Sequence, residues 1–267
     1  MISLILITTN YQYRFPFLLK TLESIAKFQH IIDEIIVSID FFTNFEKCYE
    51  QDYILEQLKQ LPYITEILIK SPNGMIANQL NALSHSHGDY IIYSEDDISV
   101  CDIPCRETIR SICDCGVIVY NTHYTNSNIP QRTIDINLTD NYHTINRDFF
   151  FKKKRSTADE YYITFPLAIM KRQVLIDTYH YMRGQHENIE VGFSKTLRKL
   201  PQYQTYDVYI YLDYQTYQKS NTFKAQMKYR DNDSELNTKA DTIKPIRDYC
   251  MFDRLSSEDL TKIDNLT

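Results

Sequence analysis

Four short runs of β-branched and aromatic residues, the first three each followed by a stretch with helical spacing, constrain the fold of this 267-residue chain more than any other feature. Ile2 to Thr9 reads as a strand, and Phe15, Leu18, Leu19, Leu22 and Ile25 then recur on one helical face, with Pro16 suited to a first turn. Glu34 to Ile39 is a second strand ending at Asp40, and Phe45 to Leu61 a second helix. Ile64 to Ile69 is a third strand. The turn Ser71-Pro72-Asn73-Gly74 leads into a helix carrying Ile76, Leu80 and Leu83 and ending near Gly88. Asp89 to Ser94 is a fourth strand, closed by Glu95-Asp96-Asp97. Strand and helix in alternation predict an α/β fold, a mostly parallel sheet flanked by crossover helices.

In open sheets of this kind ligands bind outside the carboxyl ends of the strands, so Thr9, Asp40 and the acidic triplet are expected to converge on one crevice. Composition narrows what enters it. A net charge of −6 is the wrong sign for broad attraction to a phosphate backbone, which argues against a nucleic-acid partner. With five glycines the chain spells no glycine-rich phosphate loop. Ile2 to Ile7 lacks a basic flank and is too short for a signal or membrane helix, so a cytoplasmic protein is expected. Its six cysteines then read as thiols. Cys101, Cys105, Cys113 and Cys115 match no common zinc spacing.

Beyond residue 120 the pattern loosens into an Asn- and Thr-rich loop, Asn121 to Asn146, and the basic run Lys152 to Arg155. Regular structure is expected again over Ile163 to Met170, then a helix over Arg172 to Met182 and another with Ile189, Phe193, Leu197 and Leu200 on one face. An aromatic strand, Asp207 to Leu212, opens the C-terminal part, and a polar tail runs on from Ser220. Residues 1–212 are expected to form the main domain, in two halves (1–100 and 101–212), with 213–267 as a C-terminal extension.

Three adjacent carboxylates repel one another, and a structure that tolerates them solvates them or binds a cation between them. Hard oxygen ligands select Mg²⁺ or Mn²⁺, and such an ion can bridge the phosphates of a nucleotide and neutralise a departing diphosphate.

The run Gly88-Asp89-Tyr90-Ile91, an apolar strand and Glu95-Asp96-Asp97 resembles the G-[DE]-Y-I strand and D-x-D motif of GT-A (Rossmann-like) glycosyltransferases, family-2-like and with an E-D-D version of the motif. The resemblance implies a central mixed sheet, a nucleotide-diphosphate-sugar donor bound by the half 1–100 with 101–212 as the acceptor half, Asp97 as direct metal ligand with Glu95 beside it, and Glu95 and Asp96 tuning the site. It also implies that Thr8, Thr9 and Arg14, after the first strand, and Asp40, after the second, contact the nucleotide. Asn73-Gly74 before Ala77-Asn78-Gln79 is similar to the family's N-x-G turn and A-R-N helix, without the Arg, and adds Asn73 and Asn78. Leu167 to Val174 looks like the strand and basic pair that precede the acceptor-side helix. Glu187-Asn188-Ile189-Glu190 resembles the E-D-x-[DE] segment that supplies a catalytic base in inverting members. Asn188 replaces the aspartate, so the base is Glu187 or Glu190, or the enzyme is a retaining one without such a base. No histidine lies beyond His186 to complete a metal site.

The implied activity is metal-dependent transfer of a sugar to an acceptor hydroxyl, in glycan or surface polysaccharide synthesis, on a glycan, lipid-linked or protein acceptor. Lys152 to Arg155 offers a possible peripheral contact with a membrane surface. His85 and His87 fit imidazolium groups near a helix end better than metal ligands. The alternatives are an inactive carbohydrate- or nucleotide-binding relative, a nucleotidyltransferase, from which Thr8-Thr9-Asn10-Tyr11 departs by lacking glycine, and a zinc-organised module built on Cys101 to Cys115.

Overall fold

The computed structural model describes residues 1–12, 14–43, 48–71, 74–100, 103–114, 116–123, 138–139, 142–146, 167–183, 206–214 and 257–266. They form one mixed sheet with helices on both faces. The strands are β1 (Ile2–Thr9), β2 (Glu34–Asp40), β3 (Glu66–Lys70), β4 (Tyr90–Ser94), β5 (Ile98–Ser99), β6 (Ile118–His123), β7 (Leu138–Thr139), β8 (Tyr142–Asn146), β9 (Leu167–Lys171) and β10 (Tyr206–Tyr214). The helices are α1 (Phe15–Ala26), α2 (Gln51–Lys59), α3 (Met75–His85), α4 (Arg106–Cys113), α5 (Arg172–Met182) and α6 (Ser257–Asn265).

The sheet runs β3-β2-β1-β4-β9-β6-β10-β8-β7, with β5 on β10. β3, β2, β1 and β4 are parallel, β9 lies antiparallel between β4 and β6, and β10 is again parallel to β6. Every residue of β1 and β2 is buried, as strands covered on both faces require. Alternate side chains feed two cores. Leu4, Leu6, Val37, Ile39 and Ile92 pack with Leu18 and Leu22 of α1, Ile54 of α2 and Ile109 of α4. Ile5, Ile7, Ile36, Ile91 and Tyr93 pack on the other face with Leu80 of α3, Tyr179 of α5 and Ile263 of α6. The segregation follows from the strand order. Right-handed crossovers that step from β1 to β2 to β3 lay their helices on one face, and the return from β3 to β4 lays α3 on the other.

Gly88 shows what the glycine before β4 does. A Cβ there would lie 2.2 Å from Ser3 Oγ and 2.6 Å from Ser3 N, and the Gly88 N–H donates to Ser3 Oγ at 2.6 Å. Only a residue without a side chain lets the chain enter β4 this close to β1.

Several expectations need correction. The second helix begins at Gln51 rather than Phe45, and residues 44–47 lie outside the described ones. Within Asn121 to Asn146, expected to be a loop, β6 extends to His123 and β8 pairs antiparallel with β10. β10 continues to Tyr214, across the 212/213 boundary, and the expected polar tail contains α6. The helix expected around Ile189 to Leu200 lies outside the described residues.

Candidate active site

β1 and β4 are neighbours with Leu6 opposite Ser94, so the acidic triplet leaves β4 beside the last turns of β1. Asp96 points back into the protein and is fully buried. Thr8 Oγ1 donates to its Oδ2 at 2.5 Å, Arg14 Nε donates to the same oxygen at 2.9 Å, and Arg14 Nη2 pairs with Oδ1. This is a bidentate, largely desolvated ion pair, the strongest geometry available to an Arg and a carboxylate.

The backbone of the triplet is held from α1. Thr21 Oγ1 lies 3.0 Å from Asp96 O and 2.6 Å from Ile98 O and accepts the Ile98 N–H at 3.2 Å, while Ser24 Oγ accepts the Val100 N–H at 2.9 Å. With the chain fixed on both sides, the Asp97 carboxylate is set at the strand end, 6% exposed, with Oδ2 3.9 Å from Arg14 Nη2. Glu95 is half-buried at the same edge. Arg14 and Asp96, both expected to serve the donor, are thus bonded to each other, and Asp96 acts as the anchor of the loop.

On the opposite face, under α3, lies a second polar group. Asp40, fully buried, stands in register with Lys70 on β3. Burial pulls the Lys70 ammonium below the usual lysine range, and the Asp40 charge opposes that. Asn78 Nδ2 donates to Thr8 O at 3.1 Å and to Ser38 O at 3.2 Å, bridging β1 and β2. Asn78 Oδ1 and Thr9 Oγ1 are buried without a hydrogen-bond partner among the described residues. Polar atoms in that state mark a place for water or a ligand group. Gly74 opens α3 at φ 105°, a backbone region that essentially only glycine adopts, and Asn73 lies outside the described residues.

A third feature went unread in the sequence. Asn10 donates to Phe42 O and Tyr49 O, both at 3.0 Å, and accepts the Phe42 N–H at 2.9 Å, while its carbonyl accepts the Tyr49 N–H at 2.9 Å. It sews the segment after β2 to the end of β1, and Tyr11 stacks on Phe42 with centroids 5.1 Å apart. The signal was an Asn directly after a fully buried strand, but its partners lie more than thirty residues away. The result is an aromatic lip beside Asp40.

His85 and His87 face Glu66 at 3.0 Å and Glu34 at 3.1 Å, at the opposite end of the sheet from the triplet. Cys105 is exposed, Cys113 is buried with its Sγ 3.4 Å from Ile169 O, and Cys101 and Cys115 lie outside the described residues. Glu187, Glu190 and Lys152 to Arg155 also lie outside them. Among the described residues no three His, Cys, Asp or Glu side chains form a protein-only metal cage. One or two strand-end carboxylates suit a hard divalent ion that takes its remaining ligands from phosphate oxygens and water, which is how Mg²⁺ and Mn²⁺ are commonly held. No described helix is long and apolar enough to cross a membrane.

A search of curated protein sequences returns no match. Among solved structures, glucosyl-3-phosphoglycerate synthase from Mycobacterium tuberculosis, in complex with Mn²⁺, uridine diphosphate and glucosyl-3-phosphoglycerate, is 11% identical, with 86% of this chain and 79% of that one covered at a TM-score of 0.46. TarS from S. aureus is 13% identical, with 89% and 41% covered and a TM-score of 0.47. Mannosyl-3-phosphoglycerate synthase from Rubrobacter xylanophilus is 12% identical, with 90% and 75% covered and a TM-score of 0.44. The family model for glycosyl transferase family 2 matches residues 3–179, which hold β1 to β4, the acidic triplet and most of α5. This chain belongs to glycosyl transferase family 2 and is a glycosyltransferase.

Proposed function

We propose that the enzyme binds a nucleotide-diphosphate sugar across the ends of β1, β2 and β4 and transfers the sugar to an acceptor hydroxyl. The observation that carries this reading is the clamp on Asp96. Arg14, Thr8 and Thr21 fix the loop and so hold the neighbouring Asp97 carboxylate at the strand edge. Asp97, with Glu95 beside it, would hold Mn²⁺ or Mg²⁺. When bound, the ion neutralises charge on the departing diphosphate.

Asp40 accepts hydrogen bonds from the base or ribose, and Tyr11 and Phe42 give the base an aromatic edge to lie against. Thr9 and Asn78 offer their buried oxygens to the same nucleotide, and Asn73, which directly precedes Gly74 in the sequence, is assigned to it by the family resemblance. The acceptor oxygen attacks the anomeric carbon as the bond from that carbon to the diphosphate oxygen breaks. Glu187 or Glu190 takes the hydroxyl proton if the transfer inverts. Glycan or surface-polysaccharide synthesis, on a glycan, lipid-linked or protein acceptor in the cytoplasm, is the setting this reading favours, with Lys152 to Arg155 as a contact for an anionic acceptor or membrane surface.

Calorimetric titration of UDP, GDP, ADP, CDP and their sugar conjugates, with and without Mn²⁺, tests the proposal. One nucleotide is expected to bind tightly only with the metal, and Asp97→Ala to lose that binding. Absence of binding by every member, with or without metal, overturns it.

A further inference from the structure

α3 carries three amide side chains, and each is bonded to a different neighbour. Asn78 Nδ2 donates to the carbonyls of Thr8 and Ser38, and Asn81 Nδ2 donates to Ser38 Oγ at 3.2 Å. Because both neighbours of the Asn78 nitrogen are carbonyl oxygens, its amide fits only one way round. Its Oδ1, buried without a hydrogen-bond partner among the described residues, is therefore an acceptor whose direction is set by the placement of α3.

The third amide is held from α5. Tyr179 Oη donates to Gln79 Oε1 at 2.9 Å, with Tyr179 fully buried and Gln79 2% exposed. Burial pushes the Tyr179 phenol well up, so it stays protonated and remains a donor. About two turns earlier on α5, Arg172 donates from Nη2 to Leu83 O at 2.9 Å and from Nη1 to Ser86 O at 2.9 Å and Ser86 Oγ at 2.6 Å. The start of α5 thus meets the end of α3 and a later turn of α5 meets an early turn of α3, so the two helices run antiparallel and are fastened at two points. Val174 and Ile176 of α5 share an apolar core with Ile76 and Leu80 of α3. Apolar contact is non-directional, whereas a hydrogen bond demands a set angle and distance. Of the two fastenings, the bond to Gln79 adjoins Asn78 and fixes the rotation of α3 where it overlies the crevice.

We infer that Tyr179 is a positioning residue of the donor site: through Gln79 it fixes the rotation of α3, and with it the direction in which Asn78 Oδ1 meets the bound nucleotide. The inference rests on the reading of Asn78 as a donor-binding residue, and a second measurement separates the two.

The full chain and its variants are titrated by calorimetry with UDP, GDP, ADP and CDP in Mn²⁺. Tyr179→Phe should weaken the nucleotide that binds by about fivefold, the low end of ordinary coupling between sites. In an Asn78→Ala background it should do no further harm, since no amide is left to misplace. Tyr179→Phe also orphans the buried Gln79 oxygen and should lower the melting temperature. Combining it with Gln79→Met leaves neither partner polar and should recover that stability while binding stays weak, because no directional bond replaces the lost one. A merely structural role would restore both together.

A folded Tyr179→Phe variant that binds with unaltered affinity overturns the inference, as does an equal loss with and without the Asn78 side chain, or a double variant that recovers binding along with stability. If Tyr179→Phe does not fold, the double variant with Gln79→Met decides. If no nucleotide binds the parent chain, the donor reading fails, and the hold of α5 on α3 is judged by amide hydrogen exchange in the double variant. Faster exchange in α3 with β1 and β2 unchanged supports it, and exchange that is unchanged in α3, or raised equally in the strands, overturns it.

Discussion

β2 begins and ends with a buried carboxylate, and its two ends are built for opposite purposes. At the start, Glu34 accepts hydrogen bonds from Ser3 Oγ, from the His87 N–H at 2.5 Å and from the His87 ring, while its neighbour Asp33 takes the Ile2 N–H at 2.7 Å and the forked guanidinium of Arg106. Each bond ties one turn to the next. At the far end, Asp40 and Asp97 are buried at the carboxyl ends of β2 and β4, and the carboxylate between Glu95 and Asp97, that of Asp96, is bonded to Arg14 and Thr8. Carboxylates at one edge of the sheet hold the fold together. Those at the other lie where we propose that the donor and its cation bind.

That contrast can be broken by exchanging the two outcomes. Asp97→Asn is expected to lower transfer on an identified donor by on the order of 10²–10³, as loss of a group that stabilises developing charge commonly does, while the melting temperature holds or rises. Steady-state rates and a thermal melt on one preparation check both. Arg14→Met, which leaves Asp96 buried without its ion pair, should lower stability by about 3 kcal/mol, the low end of the range for such truncations because Arg14 is a fifth exposed. It should also weaken donor binding, since Asp97 loses its anchor, and chemical denaturation with calorimetry would show the two losses together.

The structural edge should behave differently. Gly88→Ala forces a methyl against the Ser3 backbone and should lower stability by about 1–3 kcal/mol with the donor affinity of the folded fraction unchanged. Glu34→Gln sharpens the comparison through pH. Burial raises the Glu34 pKa, but the bonds from His87 and Ser3 outweigh it and hold the group below the ordinary range. A carboxylate with a depressed folded pKa adds stability that is present above its unfolded value of about 4.3 and lost as pH falls through the folded one. The parent chain should therefore exceed the variant by about 1 kcal/mol at neutral pH, with the gap closing below about pH 4 in denaturant midpoints.

How far the sequence speaks for itself differs along the chain. β1, β2 and β4 were legible because strands covered on both faces are written as unbroken apolar runs, and α5 because Arg172 to Met182 carries its own period. β8, Tyr-His-Thr-Ile-Asn, carries no such signature and is a strand by virtue of its pairing with β10 some sixty residues on. α6 is polar apart from Leu260 and Ile263, whose purpose appears only once α3 and α5 present a surface for them. The acidic triplet was visible as a cluster at a strand end. That its middle member is held by Arg14, 82 residues away, is a fact of topology that no local pattern encodes. Glu187 and Glu190 remain outside the described residues, and their role stays a proposal.

The order in which the ribosome releases these elements gives α6 a further consequence. The parallel strands and the triplet emerge early, but Ser99 waits for Asp213 of β10, and the apolar face of α3 and α5 waits for residues 257–266. At ordinary elongation rates of about 5–20 residues per second, that face is without α6 for several seconds after α5 has been made. Truncations before α6, which strip Leu260, Ile263 and Leu266 from that core, are expected to appear in cells as aggregates rather than as smaller enzymes.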